Sequence, residues 1–411
     1  MAPKRTKWLV LGAVAFVQVF MFGPTVSTIG VLIPPLLREF HWTHAQVSRL
    51  VTAYELSLGC TSLFAGWLVD RMDARWVMGS GCLVAGTGCF LASRAHDLAF
   101  LIGCYALIGC GIGLASFITA VVVAIRWFPG RRALAASLAS FGLGLGMFVA
   151  PRMVTEIVAL ASWRWGLMTI GTPMLALAAP VSFLLVRGNP NTASLASGQE
   201  MAGLEVGKAL ATSAFWMLFG LTLISEMGDG AVFFHLVAFL VGNGYSATTA
   251  ATFFGGQALL LPICGVVWGA LADRFGTRPI LAVCFAFLGA SVLTLLSASH
   301  AQAGVLPVAG WMVLWGIGMA HNGVISALIA EALGVRRYGT LSALIRSMVS
   351  VGQAVGPLIA GAIFDATGSY ALGFKLAASA FFLSGVMAVL VVPAKGRDAI
   401  PKPAIAIAAT S

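Results

Sequence analysis

Long apolar runs alternate with short polar joints along the whole chain. Runs of this length are helical spans rather than strands. Charges, glycines and prolines bound twelve of them, near residues 8–37, 46–69, 76–94, 98–125, 133–161, 165–186, 212–242, 247–272, 279–299, 304–332, 339–364 and 370–392. The longest polar gap follows Arg187 and carries Pro190, Ser194, Ser197, Gln199, Glu200, Glu205 and Lys208. It divides six spans from six. The pattern predicts an all-α membrane protein of twelve transmembrane helices in two pseudo-symmetric six-helix bundles. The expected divisions are a first bundle over 1–187, a cytoplasmic linker over 188–211, a second bundle over 212–393 and a tail over 394–411.

Composition narrows the class further. The 411 residues are 59% hydrophobic and 9% charged, against about 25% charged in soluble domains. A water-soluble globule and a disordered chain are excluded. A β-barrel would alternate polar and apolar positions instead of running apolar. The net charge of +10 would suit nucleic acid, but its distribution says otherwise. With twelve spans, 17 of the 24 lysines and arginines fall on the side of the N-terminus. Positive charge marks the cytoplasmic face, so both termini are expected there, in an inner (cytoplasmic) membrane. No nucleic-acid partner is expected. The seven cysteines lie in apolar runs without a CxxC pair and read as buried thiols. The basic start before Trp8 leads into a run too long for a signal-peptide core.

The chain repeats itself. Gly66-Trp-Leu-Val-Asp70-Arg71-Met-Asp-Ala-Arg75 matches Gly269-Ala-Leu-Ala-Asp273-Arg274-Phe-Gly-Thr-Arg278, 203 positions later. Trp42-Thr43 matches Tyr245-Ser246 at the same offset, and Gly111-Ile-Gly113, Arg131-Arg132 and Pro151 recur at 205 or 206. Two similar halves in parallel orientation are one layout of secondary transporters, with the binding site between them near the midplane.

The paired loop motifs resemble the G-x-L-x-D-R-x-G-R pattern of the major facilitator superfamily, with Asp73-Ala74 departing from it in the first copy. Further stretches resemble its monocarboxylate-transporter and oxalate/formate-antiporter branch. They are Ala124-Ile-Arg-Trp-Phe-Pro-Gly-Arg-Arg132, Lys208 to Trp216, His235 to Leu240, Arg337 to Leu341, Gly356-Pro357 and Phe364 to Tyr370. The resemblance implies a carrier working by alternating access, with the fourth and tenth spans lining a central cavity. The eighth span lacks the arginine, and the first span the lysine, that the branch often carries. A dianion such as oxalate is therefore disfavoured.

Ionisable groups at membrane depth are costly and point to function. Arg346 lies about 12 Å along the eleventh span, at 1.5 Å per residue. It is expected to meet a substrate carboxylate, the competing reading being a structural pair with Glu331. Glu226 and Asp229, at i and i+3 in the seventh span, share a face and repel when both are ionised. They are expected to couple protons, unless held permanently by Arg346 or His321. Glu55 is a second proton site or a partner of Arg49. His321, Asn322 and Phe117, at aligned positions of the tenth and fourth spans, are candidate substrate contacts, although a lone histidine is more often a packing residue. His235 ranks below them. Arg152 and Glu156, at i and i+4, are expected to pair. Asp70, Arg71, Asp273 and Arg274 are expected to form a gating latch, the alternative being plain topology charge. Gly142, Gly144 and Gly146, and Gly352, Gly356 and Gly361, read as close-packing faces, and Pro24 as a bend.

No phosphate-binding loop, metal-ligand cluster or nucleophile elbow is present. The expected protein is not an enzyme and needs no cofactor. It is a monomeric carrier in the lipid bilayer whose partners are a small organic anion, most simply a monocarboxylate, and protons. The alternative is a proton-driven exporter of amphipathic or aromatic compounds. A non-transporting sensor would want a sizeable soluble domain or long tail, whereas the stretch after Val392 has 19 residues.

Overall fold

The computed structural model describes residues 4–128, 132–187, 204–298, 304–334 and 337–392. The first bundle runs α1 (Lys4–Phe20), α2 (Phe22–Phe40), α3 (His44–Arg71), α4 (Ala74–Ala92), α5 (Leu98–Leu114), α6 (Phe117–Trp127), α7 (Arg132–Leu160), α8 (Trp163–Pro173) and α9 (Ala179–Leu185). A short amphipathic α10 (Val206–Leu210) precedes the second bundle. That bundle holds α11 (Ser213–Gly242), α12 (Ala247–Gly256), α13 (Leu260–Phe275), α14 (Thr277–Leu296), α15 (Leu306–Met319), α16 (Asn322–Leu333), α17 (Tyr338–Thr367) and α18 (Ala371–Leu390). Among the described residues, ten helical segments are long and apolar enough to cross a membrane. The less apolar α3 and α4, of 28 and 19 residues, complete twelve spans.

The repeat is visible in the caps. Thr43 forms a capping box with Gln46 at the start of α3, and Ser246 accepts from the Thr249 N–H at 3.0 Å at the start of α12. Each supplies an acceptor to orphan N–H groups of a first turn.

Several spans expected to be continuous are broken. The first divides at Met21, just ahead of Pro24, where a bend was expected. The fourth divides between α5 and α6, and the tenth between α15 and α16, at matched points of the repeat. Each break frees carbonyls that must find donors in a water-poor interior. In the fourth span, Thr119 N–H turns to Ser116 Oγ at 3.3 Å, and Gln18 Nε2 donates to the freed Ala115 carbonyl at 2.9 Å. In the tenth, Trp268 Nε1 donates to the Ile317 carbonyl at 2.7 Å. A π-helical turn over Met174–Ala178 and a 3-10 turn over Gln257–Leu259 interrupt the sixth and eighth spans.

Small residues set the closest approaches. A methyl group on Gly352 would lie 2.6 Å from Glu226 Cβ, and one on Gly356 would fall on the Met227 carbonyl oxygen. These glycines let α17 lie almost backbone to backbone on α11. Gly356→Ala is expected to destabilise the protein by about 1–3 kcal/mol through overpacking. The measurement is the thermal unfolding midpoint in detergent, and an unchanged midpoint would refute the close approach.

The two bundles meet unevenly. At the end remote from the N-terminus, α3 packs on α17, α2 on α11, and α12 on α7. Toward the terminal end α13, the other half of the eighth span, scarcely touches α7.

Candidate functional site

The midspan site is built by three helices. Glu55 stands eleven residues past the start of α3, and Glu226 and Asp229 near the middle of α11. Glu55 and Asp229 are only 5% and 4% exposed. Glu55 lies in electrostatic range of both Glu226 and Asp229 across the bundle interface. The three acids expected to handle protons are thus brought together. Glu55 forms no ion pair with Arg49 among the described residues.

Gln353 of α17 binds the acid pair. Its Nε2 donates to Glu226 Oε2 at 3.0 Å and to Asp229 Oδ2. Asp229 Oδ1 is buried without a partner. The close packing at Gly352 is what carries Gln353 within reach. Sequence reasoning passed over Gln353 because it sits inside the glycine-rich stretch read as packing.

Arg346 stands two turns before Gln353 on α17. Its Nη2 donates to Asn322 Oδ1 at 3.0 Å and its Nη1 to Ser326 Oγ at 3.3 Å. The guanidinium is half-buried, and no carboxylate lies within ion-pair distance of it among the described residues. The suggested partner Glu331 accepts instead from Thr277 Oγ1 at 2.6 Å. Glu226 is near enough to feel the Arg346 charge without touching it. Asn322 is the first residue of α16, so the break in the tenth span presents its amide. Ser326 follows one turn later and was not anticipated.

His321 is 4% exposed and has a structural task. Its Nδ1 lies 3.0 Å from the Gly318 carbonyl, one of those freed by the break, and donates to it. Its ring packs 5.1 Å from Phe285. It neighbours Arg346 but shares no hydrogen bond with it or with the acids. Phe117 opens α6, and its side chain lies outside the described residues. Arg152 and Glu156 pair at 3.0 Å, as their spacing predicts.

The remote end holds a second polar cluster. Asp365, near the end of α17, accepts from the backbone N–H groups of His44 and Ala45 at 2.8 Å each. The His44 ring Nδ1 lies 3.2 Å from the same carboxylate. With Thr43 serving Gln46 N–H, an acid from the second bundle completes the cap of a helix in the first. Behind it, the His235 ring reaches Tyr370 Oη at 3.1 Å, Pro357 O at 2.9 Å and Ser48 Oγ at 3.2 Å. The Phe364 ring packs, tilted, 4.4 Å from that of Tyr370. His235, ranked low from sequence, is fully buried here.

Among the described residues, the loop motifs at the terminal end show no such bridge. Arg71 stacks over its own helix's Trp67 at 3.9 Å, and Arg274 lies 5.3 Å from Phe275. Asp273 is exposed. The Asp70 side chain lies outside the described residues. The nearby Asp73 pairs with Arg75 at 3.0 Å.

Comparison with known proteins settles what this architecture belongs to. The sequence profile of the Major Facilitator Superfamily matches residues 15–322 and 218–406. The chain belongs to the Major Facilitator Superfamily. Members of that superfamily are transporters, and this chain is a multi-pass membrane transporter rather than an enzyme. It is 28% identical over 371 residues to the multidrug efflux protein YfmO of Bacillus subtilis (strain 168), covering 88% of each chain. It is 27% identical over 392 residues to monocarboxylate transporter 13 of Rattus norvegicus, covering 94% of this chain and 89% of that one. Among solved structures, an inward-facing, unoccupied bacterial homologue of the human lysosomal transporter Spinster superposes with a TM-score of 0.71. That match is at 16% identity, over 95% of this chain and 96% of that one. The superfamily fold explains the parallel halves.

Proposed function

We propose that this superfamily member carries a small monocarboxylate together with protons by alternating access. The observation that bears the reading is Arg346: a guanidinium at membrane depth, held by two neutral oxygens, with Glu226 acting on it only through space and no acid in ion-pair contact among the described residues. A guanidinium is always charged and presents paired donors to a carboxylate. Asn322 and Ser326 fix its orientation, and the anion arrives as its counter-charge. One such cation suits one carboxylate.

Glu55, Glu226 and Asp229 supply the proton. Two buried carboxyl groups and a third, half-buried one in electrostatic range are costly to ionise together, and binding a proton relieves that cost. Glu55 belongs to one bundle and the pair to the other, so protonation also eases their approach across the interface. With the terminal end cytoplasmic, the bundles are closed outside and parted inside. Asp365 on the α3 N-terminus holds the outer side shut, and Asp70, Arg71, Asp273 and Arg274 form the inner latch.

The test is uptake of labelled lactate or pyruvate into proteoliposomes under an inward proton gradient. Accumulation that collapses with a protonophore supports the reading, and uptake indifferent to the gradient removes the proton coupling. Likeness to an efflux protein favours one alternative, proton-driven export of amphipathic compounds. Gradient-driven extrusion of a lipophilic dye, with no carboxylate flux, would select it.

A further inference from the structure

We infer that Gln353 is the positioning residue that holds Glu226 and Asp229 as one proton-sharing unit and ties that unit to the helix bearing Arg346. The inference rests on the proton-coupled reading above and extends it to a residue with no charge of its own. The primary amide has two hydrogens, and the geometry commits them to two different carboxyl groups. Glu226 and Asp229 are a turn apart on α11, and they are bridged from outside their own helix. Gly230 and Gly352 bring the backbones close enough for the bridge, a methyl on Gly230 lying 3.0 Å from Gln353 Cα.

Gln353 is seven residues beyond Arg346, which places it on the same face of α17, about 10 Å along the axis. A tilt or rotation of α17 that moves the guanidinium therefore moves the amide too. Protonation of either acid leaves an acceptor oxygen but removes the charge that strengthens its bond to the amide, and so weakens the bridge. Release of the bridge frees α17 to shift relative to α11, and a shift of α17 carries Arg346 with it. Proton and anion are linked through one helix, without direct contact between their binding groups.

The surrounding ionisable groups leave this amide as the direct link. Glu55 faces the pair from α3. Arg346 acts on Glu226 through space. His321 spends its Nδ1 on Gly318, and His235 is engaged by Tyr370 and Pro357 farther along α11. Glu331 of α16 is bound to Thr277. Lys375 of α18 and Arg38 and Glu39 of α2 lie near the remote ends of their helices.

Two near-isosteric variants test the role in proteoliposomes, with pyruvate as the probe and external pH as the variable. Gln353→Leu removes both donors and is expected to lower gradient-driven accumulation at least tenfold at every pH. Gln353→Glu has a hydrogen to donate only when protonated. It is expected to regain accumulation as the medium is acidified, giving a profile displaced to lower pH than the wild type. A purely space-filling residue would not produce that displacement. The inference is overturned if Gln353→Leu keeps the wild-type pH profile, or if both variants give one superimposable profile. If the wild-type protein itself shows no dependence on the proton gradient, the coupled reading fails, whichever way the variants behave.

Discussion

Replacing Arg346 with alanine is expected to lower monocarboxylate uptake by about 100-fold, with the protein still folded and inserted. Removing one partner of a desolvated charge pair costs roughly 2–5 kcal/mol, and each 1.4 kcal/mol is about tenfold in affinity. The lower part of that range applies, because the guanidinium is half-buried and partly screened by water. Arg346→Lys keeps the charge but loses the planar fork. It is expected to fall between the wild type and the alanine variant, since an ammonium cannot serve Asn322, Ser326 and a carboxylate in the same plane. Saturation curves for labelled pyruvate provide the measurement. Uptake by Arg346→Ala within threefold of wild type would remove the anion from the proposed cargo, leaving the carrier architecture intact.

The second large effect is expected at the other end of the molecule. Asp365→Asn leaves the side chain nearly isosteric but removes its charge and one of two acceptor oxygens. The lost interactions are hydrogen bonds to a charged group, about 1.5–3 kcal/mol each, at a helix N-terminus that also favours negative charge. Asp365 and the N–H groups it caps belong to different bundles, so the loss falls on the closed arrangement alone. A change of about 1.4–3 kcal/mol moves the closed-to-open equilibrium by roughly 10- to 100-fold. Spin labels at Ala161 and Gly242 in a cysteine-free background would report it as longer distances. A distribution matching that of the parent would show that Asp365 does not hold the bundles together.

Asp365 also shows where reading the chain stopped short. An acid in the last turn of a helix has the wrong sign for that helix's dipole. That was a signal that its partner lay elsewhere, but only the fold could say that the partner was the start of α3. The spans, the charge asymmetry and the repeat were legible because hydropathy and topology charge are local properties. Thr43 and Ser246 even mark the same cap in both halves. The breaks at Ala115 and after Met319 were not legible, because the apolar pattern continues straight through them. His321 was read as either a ligand contact or a packing residue, and its Nδ1 serves the break. Glu226, Asp229 and Glu55 became candidates through the cost of charge at depth. Gln353 carries no charge, so the same reasoning could not single it out.

The matched breaks in the fourth and tenth spans have a mechanical consequence. The carbonyls they release already have donors from Gln18, Trp268 and His321. Flexing at those points therefore ruptures no backbone ladder. Each divided span can behave as two levers on a pre-cut pivot, so the inner segments can swing while the outer ones stay seated. Under the proposed alternating access, widening at the terminal end would then be graded rather than a single snap of two stiff blocks.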